Sequence, residues 1–421
     1  MEKLIIEQCG PLKGSVRIGG AKNAVLPILA GALLTEESSI IRDVPNLSDV
    51  EIMGELLTSM GAKLDWDKKQ GVITISVINL INSDTDYDLV GKLRASFLIM
   101  GPLLARLGEV KVPLPGGCAI GTRPVDLHLK GMAALGAQID QSHGYMTARA
   151  KKLKGAKIYL DFPSVGATEN IIMAAVLAEG QTVIENCAIE PEIVDLANFL
   201  NAAGAEVRGA GTDTVKINGV KYMKGTDHTV IPDRIEAGTY MVAAAITRGD
   251  INLVNVVTDH VKPVTAKLKE VSMKVEETPQ GIRVYHNGQD KVIASDIKTL
   301  PYPGFPTDMQ APFMSLLATA AGTSIITESI FENRFMQVGE LKRMGADIKI
   351  ESRSAVVEGV PRLTGAQVRA TDLRAGAALV LAALQAEGAT EISDIYHIDR
   401  GYQDLCNQLN LLGASITRST V

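Results

Sequence analysis

The sequence of 421 residues has few aromatic side chains and no excess of positive charge. Phe, Trp and Tyr make up 4% of the chain, with Trp66 as its one tryptophan, whereas 46% of the residues are hydrophobic. The core must therefore consist mainly of aliphatic side chains, and the length favours two or three domains. Because 48 acidic residues outnumber 42 basic ones, the net charge is −6, which argues against a nucleic-acid-binding surface.

Cysteine is also scarce, and long apolar runs are missing. The four cysteines contain no CxxC pair, which argues against a zinc site and against a disulfide framework and is typical of the reducing cytoplasm. The first residues lack the apolar segment of a signal peptide, and no apolar run is long enough to cross a membrane. We therefore expect a cytoplasmic protein without a metal centre. The cysteines are Cys9, Cys118, Cys187 and Cys406.

A short tag that ends in Gly-Ala recurs along the chain. Its glycines are separated by 75, 68, 141 and 68 residues, and a degenerate copy, EVSMKV (270–275), lies near the middle of the longest gap. The spacing predicts six repeats of about 70 residues. The tag glycines are Gly61, Gly136, Gly204, Gly345 and Gly413.

Each repeat has the same order of elements. An apolar helix, such as 170–180 or 374–388, ends at a glycine and is followed by a short strand. A second, amphipathic helix ends at the tag, and a further strand follows it. Strands that alternate with helices indicate the α/β or α+β class. We expect the repeats to form a closed, symmetric arrangement instead of an open solenoid.

The segment LPGGCAIGTRPVDLH (114–128) places a thiol beside an arginine on a glycine-rich loop. Cys118 follows Gly116 and Gly117, and Arg123 comes five residues later. Structural cysteines are usually buried on apolar elements, whereas reactive ones lie exposed in electropositive surroundings. The pattern therefore predicts a reactive thiol at Cys118.

Other candidates precede apolar helices. Lys22 follows Gly19-Gly20 at a helix start, where backbone N–H groups favour anions, but the segment is not a Walker A loop. Asp308 lies in the turn YPGFPTDMQAPF (302–313). The residues alone leave two interpretations of Asp308 open: an acid at a helix N-terminus, or a base or hydrogen-bond acceptor for a substrate hydroxyl.

Several arginines occupy repeat-equivalent places, and two of them stand near an aspartate, Asp372 or Asp399. Arginine suits carboxylate and phosphate because its planar fork donates two hydrogen bonds at once. Surface pairs and helix caps are the alternative interpretation of any one of these residues. The arginines are Arg94, Arg334, Arg374 and Arg400.

Together, these segments resemble the enolpyruvyl transferases. The resemblance implies two domains of three βαβαββ units each, an inside-out α/β barrel, with the active site between the domains. One domain would contain residues 1–21 and 233–421, and the other 22–232 with the Cys118 loop. The motifs run from the first repeat to the last: GGAKNAVLP, LRASFLIMGPLLAR, PGGCAIGTRPVDLH, SVGATEN, EPEIVDLANFL, YPGFPTDMQAP, FENRF, TDLRA and HIDRGY.

The resemblance also implies a reaction. The enolpyruvyl group of phosphoenolpyruvate would be transferred to the 3′-hydroxyl of UDP-N-acetylglucosamine, with release of phosphate, in the first committed step of peptidoglycan synthesis. Cys118 would protonate the methylene carbon, could add covalently to C2, and would be the target of the epoxide fosfomycin. Asp308 would take the proton of the sugar hydroxyl. Because phosphoenolpyruvate is a substrate, the reaction implies no cofactor and no metal.

The remaining site residues are implied in the same way. Lys22, Arg123 and Arg400 would bind the phosphate and carboxylate of phosphoenolpyruvate. Further cleft residues would be Arg94, Arg334, Arg374 and Asp372, the last beside Arg400. The nucleotide sugar would contact Asn23, Pro124, Val125, Asp126, Leu127, Ser164, Val165, Gly166 and Ile330.

One departure and two alternatives remain. Phe162 stands where some members carry lysine, so the uridine diphosphate would be held with fewer charge contacts. The enolpyruvyl transferase of the shikimate pathway shares the fold and the cations but lacks the cysteine-bearing loop. A non-catalytic clamp built from six repeats would need a basic inner face, against which the net charge of −6 speaks.

The reactive thiol is open to a direct test. Cys118→Ser is expected to lose covalent labelling by fosfomycin, because a hydroxyl is a much weaker nucleophile than a thiolate. Intact-mass spectrometry should show one adduct on the unmodified chain and on Cys406→Ser, and none on Cys118→Ser. An adduct that persists on Cys118→Ser would move the nucleophile elsewhere.

Overall fold

The computed structural model describes residues 2–81, 93–114, 125–288 and 291–420. Within these ranges no helix is long and apolar enough to cross a membrane. The strands are, in chain order, β1 Glu2–Glu7, β2 Lys13–Arg17, β3 Ser39–Arg42, β4 Lys63–Asp67, β5 Val72–Ser76, β6 Glu109–Pro113, β7 Gln138–Ser142, β8 Tyr145–Arg149, β9 Lys157–Tyr159, β10 Gln181–Glu185, β11 Glu206–Arg208, β12 Thr214–Asn218, β13 Asp227–Thr229, β14 Asp250–Val254, β15 Lys274–Thr278, β16 Gly281–Tyr285, β17 Ile297–Lys298, β18 Thr323–Thr327, β19 Asp347–Glu351, β20 Ser354–Glu358, β21 Gln367–Arg369, β22 Ala389–Ser393 and β23 Ser415–Thr420.

The helices lie between these strands, generally two to a repeat. The α-helices are α1 Lys22–Gly31, α2 Ser48–Ser59, α3 Met100–Leu107, α4 Asp126–Ala134, α5 Val165–Ala175, α6 Pro191–Ala202, α7 Arg234–Ile246, α8 Lys262–Glu270, α9 Gln310–Leu317, α10 Gln337–Arg343, α11 Leu373–Gln385, α12 Tyr396–Asp399 and α13 Leu405–Leu411. Short 3₁₀ helices are Ala32–Leu34, Arg94–Ile99, Thr258–Val261 and Thr307–Met309.

The described residues divide into two compact units. Unit A contains the described parts of 1–19 and 232–421, and unit B those of 20–117 and 123–231. The boundaries expected from the sequence, after 21 and after 232, lie a residue or two further along the chain. Each unit contains three sheets.

The sheets repeat one topology. In the third repeat the strands run β9-β10-β12-β11 across the sheet. Strand β9 is parallel to β10, β12 is antiparallel to β10, and β11 is antiparallel to β12. The helices α5 and α6 connect these strands, which gives the order βαβαββ. Four other sheets have the same plan, and the described part of the remaining sheet is β6-β8-β7. The predicted α/β class and repeat plan are confirmed.

Strands from distant parts of the chain close both units. In unit A, the N-terminal strand β1 lies between β22 and β23, with Leu4 opposite Ile392 on one side and Arg418 on the other. It takes the place that the last hairpin strand holds in the other sheets. In unit B, β13 pairs in parallel with β3 of the first repeat. Counting repeats along the sequence does not reveal either closure.

The first helix of each repeat lies inside its unit. In α11 every residue from Arg374 to Leu384 is buried, and in α7 every residue from Ala237 to Ile246 is buried. A helix that is apolar all round belongs in a core. In unit A the helices α7, α9 and α11 pack against one another, and α11 also packs against β1 and β22.

The tag glycines end the second helices in a left-handed conformation. Their φ angles lie between 93° and 107° at Gly61, Gly136, Gly204, Gly345 and Gly413. In the degenerate tag, Ser272 takes the same place with φ 73°, and its N–H donates to Lys269 O as that of Gly61 donates to Thr58 O. One repeat therefore places a side chain where the other tags have glycine.

This difference predicts opposite effects of two substitutions. Ser272→Gly is expected to stabilise unit A by about 0.5–1 kcal/mol, because glycine adopts this conformation without a Cβ penalty. Gly204→Ala should destabilise unit B by about 1 kcal/mol, although no heavy atom lies within 4 Å of the added Cβ. Thermal unfolding midpoints that move in the same direction in both variants would contradict this explanation.

Candidate functional site

Asp308 lies between two arginines in unit A. Its Oδ1 is 2.7 Å from Arg334 Nη2, and its Oδ2 accepts hydrogen bonds from Arg374 Nη2 at 2.9 Å and Nε at 3.1 Å. Both guanidinium groups are buried, and the carboxylate side chain is 23% exposed. The structure thus brings together three residues that the sequence analysis singled out, from three separate segments.

The aspartate next to Arg374 in the sequence has another role in the fold. Asp372 caps helix α11, because its Oδ1 accepts from Arg374 N at 2.8 Å and from Ala375 N at 3.0 Å. The partner of the Arg374 side chain is Asp308, 66 residues away. Asp399, the other aspartate near an arginine, bonds Arg418 at the surface. The contacts of Asp372 are therefore those of a helix cap.

The arginine pair controls the protonation of Asp308. Burial raises the pKa of this carboxyl, but the charges of Arg334 and Arg374 outweigh burial and hold the pKa well below its usual value. Asp308 is therefore ionised at neutral pH. A general base works best with a pKa near the operating pH, so in this arrangement Asp308 is a weak base and a strong hydrogen-bond acceptor. Between a general base and a hydrogen-bond acceptor, the geometry favours the acceptor.

An aromatic ring also lies against Arg374. The guanidinium carbon is 5.3 Å from the centre of the Tyr402 ring, and Tyr402 Oη is 2.9 Å from Thr239 Oγ1 on helix α7. Tyr402 is buried. Arg400 lies just before it, directly after helix α12, and is half-buried.

In unit B, Lys22 pairs with a residue that the sequence analysis missed. Its Nζ is 2.6 Å from Asp49 Oδ2, and the two side chains are 12% and 1% exposed. Asp49 belongs to the acidic first turn of helix α2. That acidic turn, SDVE, is a signal for a helix start, but nothing in it identifies Lys22 as the partner. Asn23 is exposed, and Arg94 begins a 3₁₀ helix.

Most candidates for the nucleotide sugar lie at two helix N-termini of unit B. Of the others, Asn23 is the second residue of helix α1, and Ile330 lies in unit A after strand β18. Ser164 caps helix α5, whose first residues are Val165 and Gly166. Val125 precedes helix α4, which begins at Asp126 and Leu127.

The two helices meet where these residues lie. A Cβ on Gly166 would be 3.2 Å from His128 Cε1, and His128 Nδ1 is 3.0 Å from Asn170 Nδ2. His128 and Asn170 were not singled out from the sequence. Phe162, two residues before Ser164, is 47% exposed.

Three predicted residues cannot be placed. Cys118, Arg123 and Pro124 lie in the segment 115–124, outside the described residues. Their roles stay predictions from the sequence.

The fold and the site together define a class of protein. Each of the two units has three sheets packed on buried helices. Lysine or arginine, paired with aspartate, stands at the N-terminus of such a helix. This arrangement suits anionic substrates. The family model described as EPSP synthase (3-phosphoshikimate 1-carboxyvinyltransferase) matches residues 6–409. The chain belongs to this family of enolpyruvyl transferases.

Curated relatives are similar over nearly the whole chain. UDP-N-acetylglucosamine 1-carboxyvinyltransferase 1 of Caldanaerobacter subterraneus subsp. tengcongensis is 61% identical over 416 residues, which are 99% of each chain. UDP-N-acetylglucosamine 1-carboxyvinyltransferase 2 of Carboxydothermus hydrogenoformans is 58% identical over 420 residues, again 99% of each chain.

Solved structures share the fold. The enolpyruvyl transferase NikO from Streptomyces tendae superposes with a TM-score of 0.89 at 25% identity, over 100% of this chain and 99% of that chain. EPSP synthase from Acinetobacter baumannii has a TM-score of 0.77 at 20% identity over 100% of both chains, which shows the fold alone.

The pairing of Asp308 predicts a pH-dependent stability. Asp308→Asn should lower the free energy of unfolding of unit A by about 3 kcal/mol at pH 7, because it leaves two buried guanidinium groups without an anion. The folded-state pKa of Asp308 is lowered, so its stabilisation is complete above the unfolded-state pKa of about 4 and is lost as the pH falls further.

Urea unfolding from pH 7 to pH 3 measures this effect. The difference between the two proteins should be constant above about pH 5 and shrink below about pH 4. Asp399→Asn, which removes a carboxylate from an exposed pair with Arg418, is the matched control and should change little. A difference that stays constant down to pH 3 would contradict the prediction.

Proposed function

We propose that this chain transfers the enolpyruvyl group of phosphoenolpyruvate to the 3′-hydroxyl of UDP-N-acetylglucosamine and releases phosphate. The observation that carries the proposal is the full-length similarity to relatives that bear the name of this activity, which are 53–61% identical over 99% of this chain. The reaction would be the first committed step of peptidoglycan synthesis. The family model is named after a shikimate enzyme, so it does not by itself choose the acceptor.

In the proposed reaction, the acceptor hydroxyl adds to C2 of phosphoenolpyruvate while C3 gains a proton. The resulting tetrahedral ketal then loses phosphate from C2 and a proton from C3, which restores the double bond. Cys118 is proposed as the acid that protonates C3 and as the thiol that could add to C2 or be alkylated by fosfomycin. Asp308 is proposed to accept the hydrogen bond, and then the proton, of the sugar hydroxyl.

The weak basicity of Asp308 fits this role if substrate changes its surroundings. An anionic substrate beside Arg334 or Arg374 would compete with the carboxylate for the guanidinium N–H groups. As those contacts are exchanged, the affinity of Asp308 for a proton would rise. The carboxylate would then become a useful base when substrate is bound.

The charged groups are proposed to bind phosphoenolpyruvate. Lys22, Arg123 and Arg400 would hold its phosphate and carboxylate, because charge-assisted hydrogen bonds to such groups are strong. The other proposed cleft residues are Arg94, Arg334, Arg374 and Asp372. In the structure, Lys22 pairs with the buried Asp49, which keeps its ammonium group fixed at the start of helix α1.

The nucleotide sugar is proposed to bind at the N-termini of helices α4 and α5. The first N–H groups of a helix lack intrahelical acceptors and attract phosphate oxygens. Phe162, which is exposed beside the start of α5, offers an aromatic face and no charge. The proposed contacts are Asn23, Pro124, Val125, Asp126, Leu127, Ser164, Val165, Gly166 and Ile330.

The proposal needs no cofactor and no metal, because phosphoenolpyruvate itself carries the group that is transferred. It also places the enzyme in the cytoplasm, as the cysteine pattern of the sequence predicts.

Acceptor choice tests the proposal. The purified protein with phosphoenolpyruvate and UDP-N-acetylglucosamine should release one phosphate for each enolpyruvyl sugar nucleotide formed, measured by a phosphate assay and by mass spectrometry of the product. Shikimate 3-phosphate as the acceptor is the matched control and should give no release. Release with shikimate 3-phosphate and none with UDP-N-acetylglucosamine would overturn the assignment.

A further inference from the structure

Glu328 is a buried carboxylate that the proposed mechanism does not use. It lies at the end of strand β18 and is fully buried. Its Oε2 accepts from Thr307 Oγ1 at 2.8 Å. Its Oε1 accepts from Thr299 Oγ1 at 2.8 Å and from the backbone N–H groups of Ile330 at 2.8 Å and Phe331 at 3.2 Å. A buried carboxylate with four donors is a strong constraint on the groups around it.

The first oxygen connects Glu328 to Asp308. The hydroxyl of Thr307 has one proton, which it donates to Glu328, so a lone pair is left to accept from Arg334 Nη1 at 2.9 Å. Arg334 in turn holds Oδ1 of Asp308 through Nη2. The donors and acceptors therefore form a relay in one direction, from Arg334 through Thr307 to Glu328.

The second oxygen fixes the backbone at Ile330, because the N–H groups of both Ile330 and Phe331 point to it. Ile330 is one of the residues proposed to contact the nucleotide sugar. One carboxylate thus controls both the guanidinium that holds Asp308 and the turn that carries a proposed acceptor contact.

We propose that Glu328 is a positioning residue for the acceptor hydroxyl: through Thr307 it holds Arg334 against Asp308, and through the turn at Ile330 it sets the adjoining acceptor contact. This inference rests on the proposed function, because the acceptor is the one assigned there. Groups that orient ligand-contacting side chains are what make a site rigid before its ligand arrives.

Glu328→Gln distinguishes the roles of the two carboxylate oxygens, because it replaces one of them with an NH₂ group. The amide oxygen of glutamine can still accept from Ile330, Phe331 and Thr299, which places its NH₂ group against Thr307. The Thr307 hydroxyl must then accept from that NH₂ group, and its own proton turns towards Arg334. We expect kcat/KM for UDP-N-acetylglucosamine to fall by about 10- to 100-fold, the usual cost of losing such a support.

Thr307 supplies a matched pair of variants that interrupt or keep the relay. Thr307→Val removes the hydroxyl and should lose as much activity as Glu328→Gln, whereas Thr307→Ser keeps the hydroxyl and should retain most of it. Because both losses act through one relay, Glu328→Gln with Thr307→Val should be no worse than either alone.

Thr247→Val separates positioning from stability. The buried Thr247 hydroxyl follows helix α7, donates to Ala243 O at 2.7 Å and accepts from Leu12 N at 3.4 Å, and these partners lie outside the relay and the turn at Ile330. We expect this variant to lower the thermal midpoint but to leave kcat/KM close to that of the unmodified chain. A merely structural role would make the kinetic losses follow the midpoints in every variant.

The experiment measures kcat and KM for UDP-N-acetylglucosamine, thermal midpoints, and calorimetric binding of UDP-N-acetylglucosamine for the whole set. Unchanged kinetics in Glu328→Gln, no recovery in Thr307→Ser, or equal kinetic loss in Thr247→Val would each overturn the inference. If the unmodified chain releases no phosphate with this acceptor, the proposed function is wrong, and the inference about Glu328 is wrong with it. Loss of activity in the variants alone concerns only the inference about Glu328.

Discussion

A buried cation at the N-terminus of a buried helix is the constraint on which the site of unit A depends. Arg374 stands in the first turn of α11, where the helix dipole disfavours positive charge, and almost all of its side chain is removed from water. Such a group must be paired. Asp308 pairs its guanidinium, Asp372 caps the backbone behind it, and the Tyr402 ring lies over it. Asp308 and Tyr402 thus compensate the burial of the guanidinium, and Asp372 satisfies the helix N-terminus.

Unit B also has a paired cation at the N-terminus of a buried helix, with lysine in place of arginine. Lys22 is the first residue of α1, the corresponding inner helix, and it too is held by a carboxylate from a different segment, Asp49. Each unit thus places a paired cation at the start of an inner helix. The pairing holds the cation beside the first backbone N–H groups of the helix, which have no acceptor within the helix. Anion binding is the chemistry that such an end favours.

Periodic features of the fold could be read from the sequence, and contacts between distant segments could not. The Gly-Ala tags predicted the repeats because a left-handed residue at each helix end has a local cause, and even the irregular tag falls on Ser272 with the same conformation. The closure of unit A by β1 has no local signal. The pairing of Arg374 with Asp308 has no local signal either, because Asp372 is nearer in sequence and equally acidic. Only the packing of α9 beside α11 brings Asp308 closer. Glu328 was missed for the same reason: its partners come from three segments.

The two arginines that pair with Asp308 also keep this carboxylate, the proposed base, weakly basic. A carboxylate whose pKa was raised towards neutrality in this place would be partly protonated, and the two guanidinium groups would then lose their anion. The pairing that stabilises unit A therefore also lowers the pKa of Asp308 below the range in which a general base works best. The conflict is resolved if the anion of the substrate replaces Asp308 as the partner of an arginine. In the proposed reaction, the charge of the substrate would raise the basicity of Asp308, and unit A would hold both arginines where this exchange can occur.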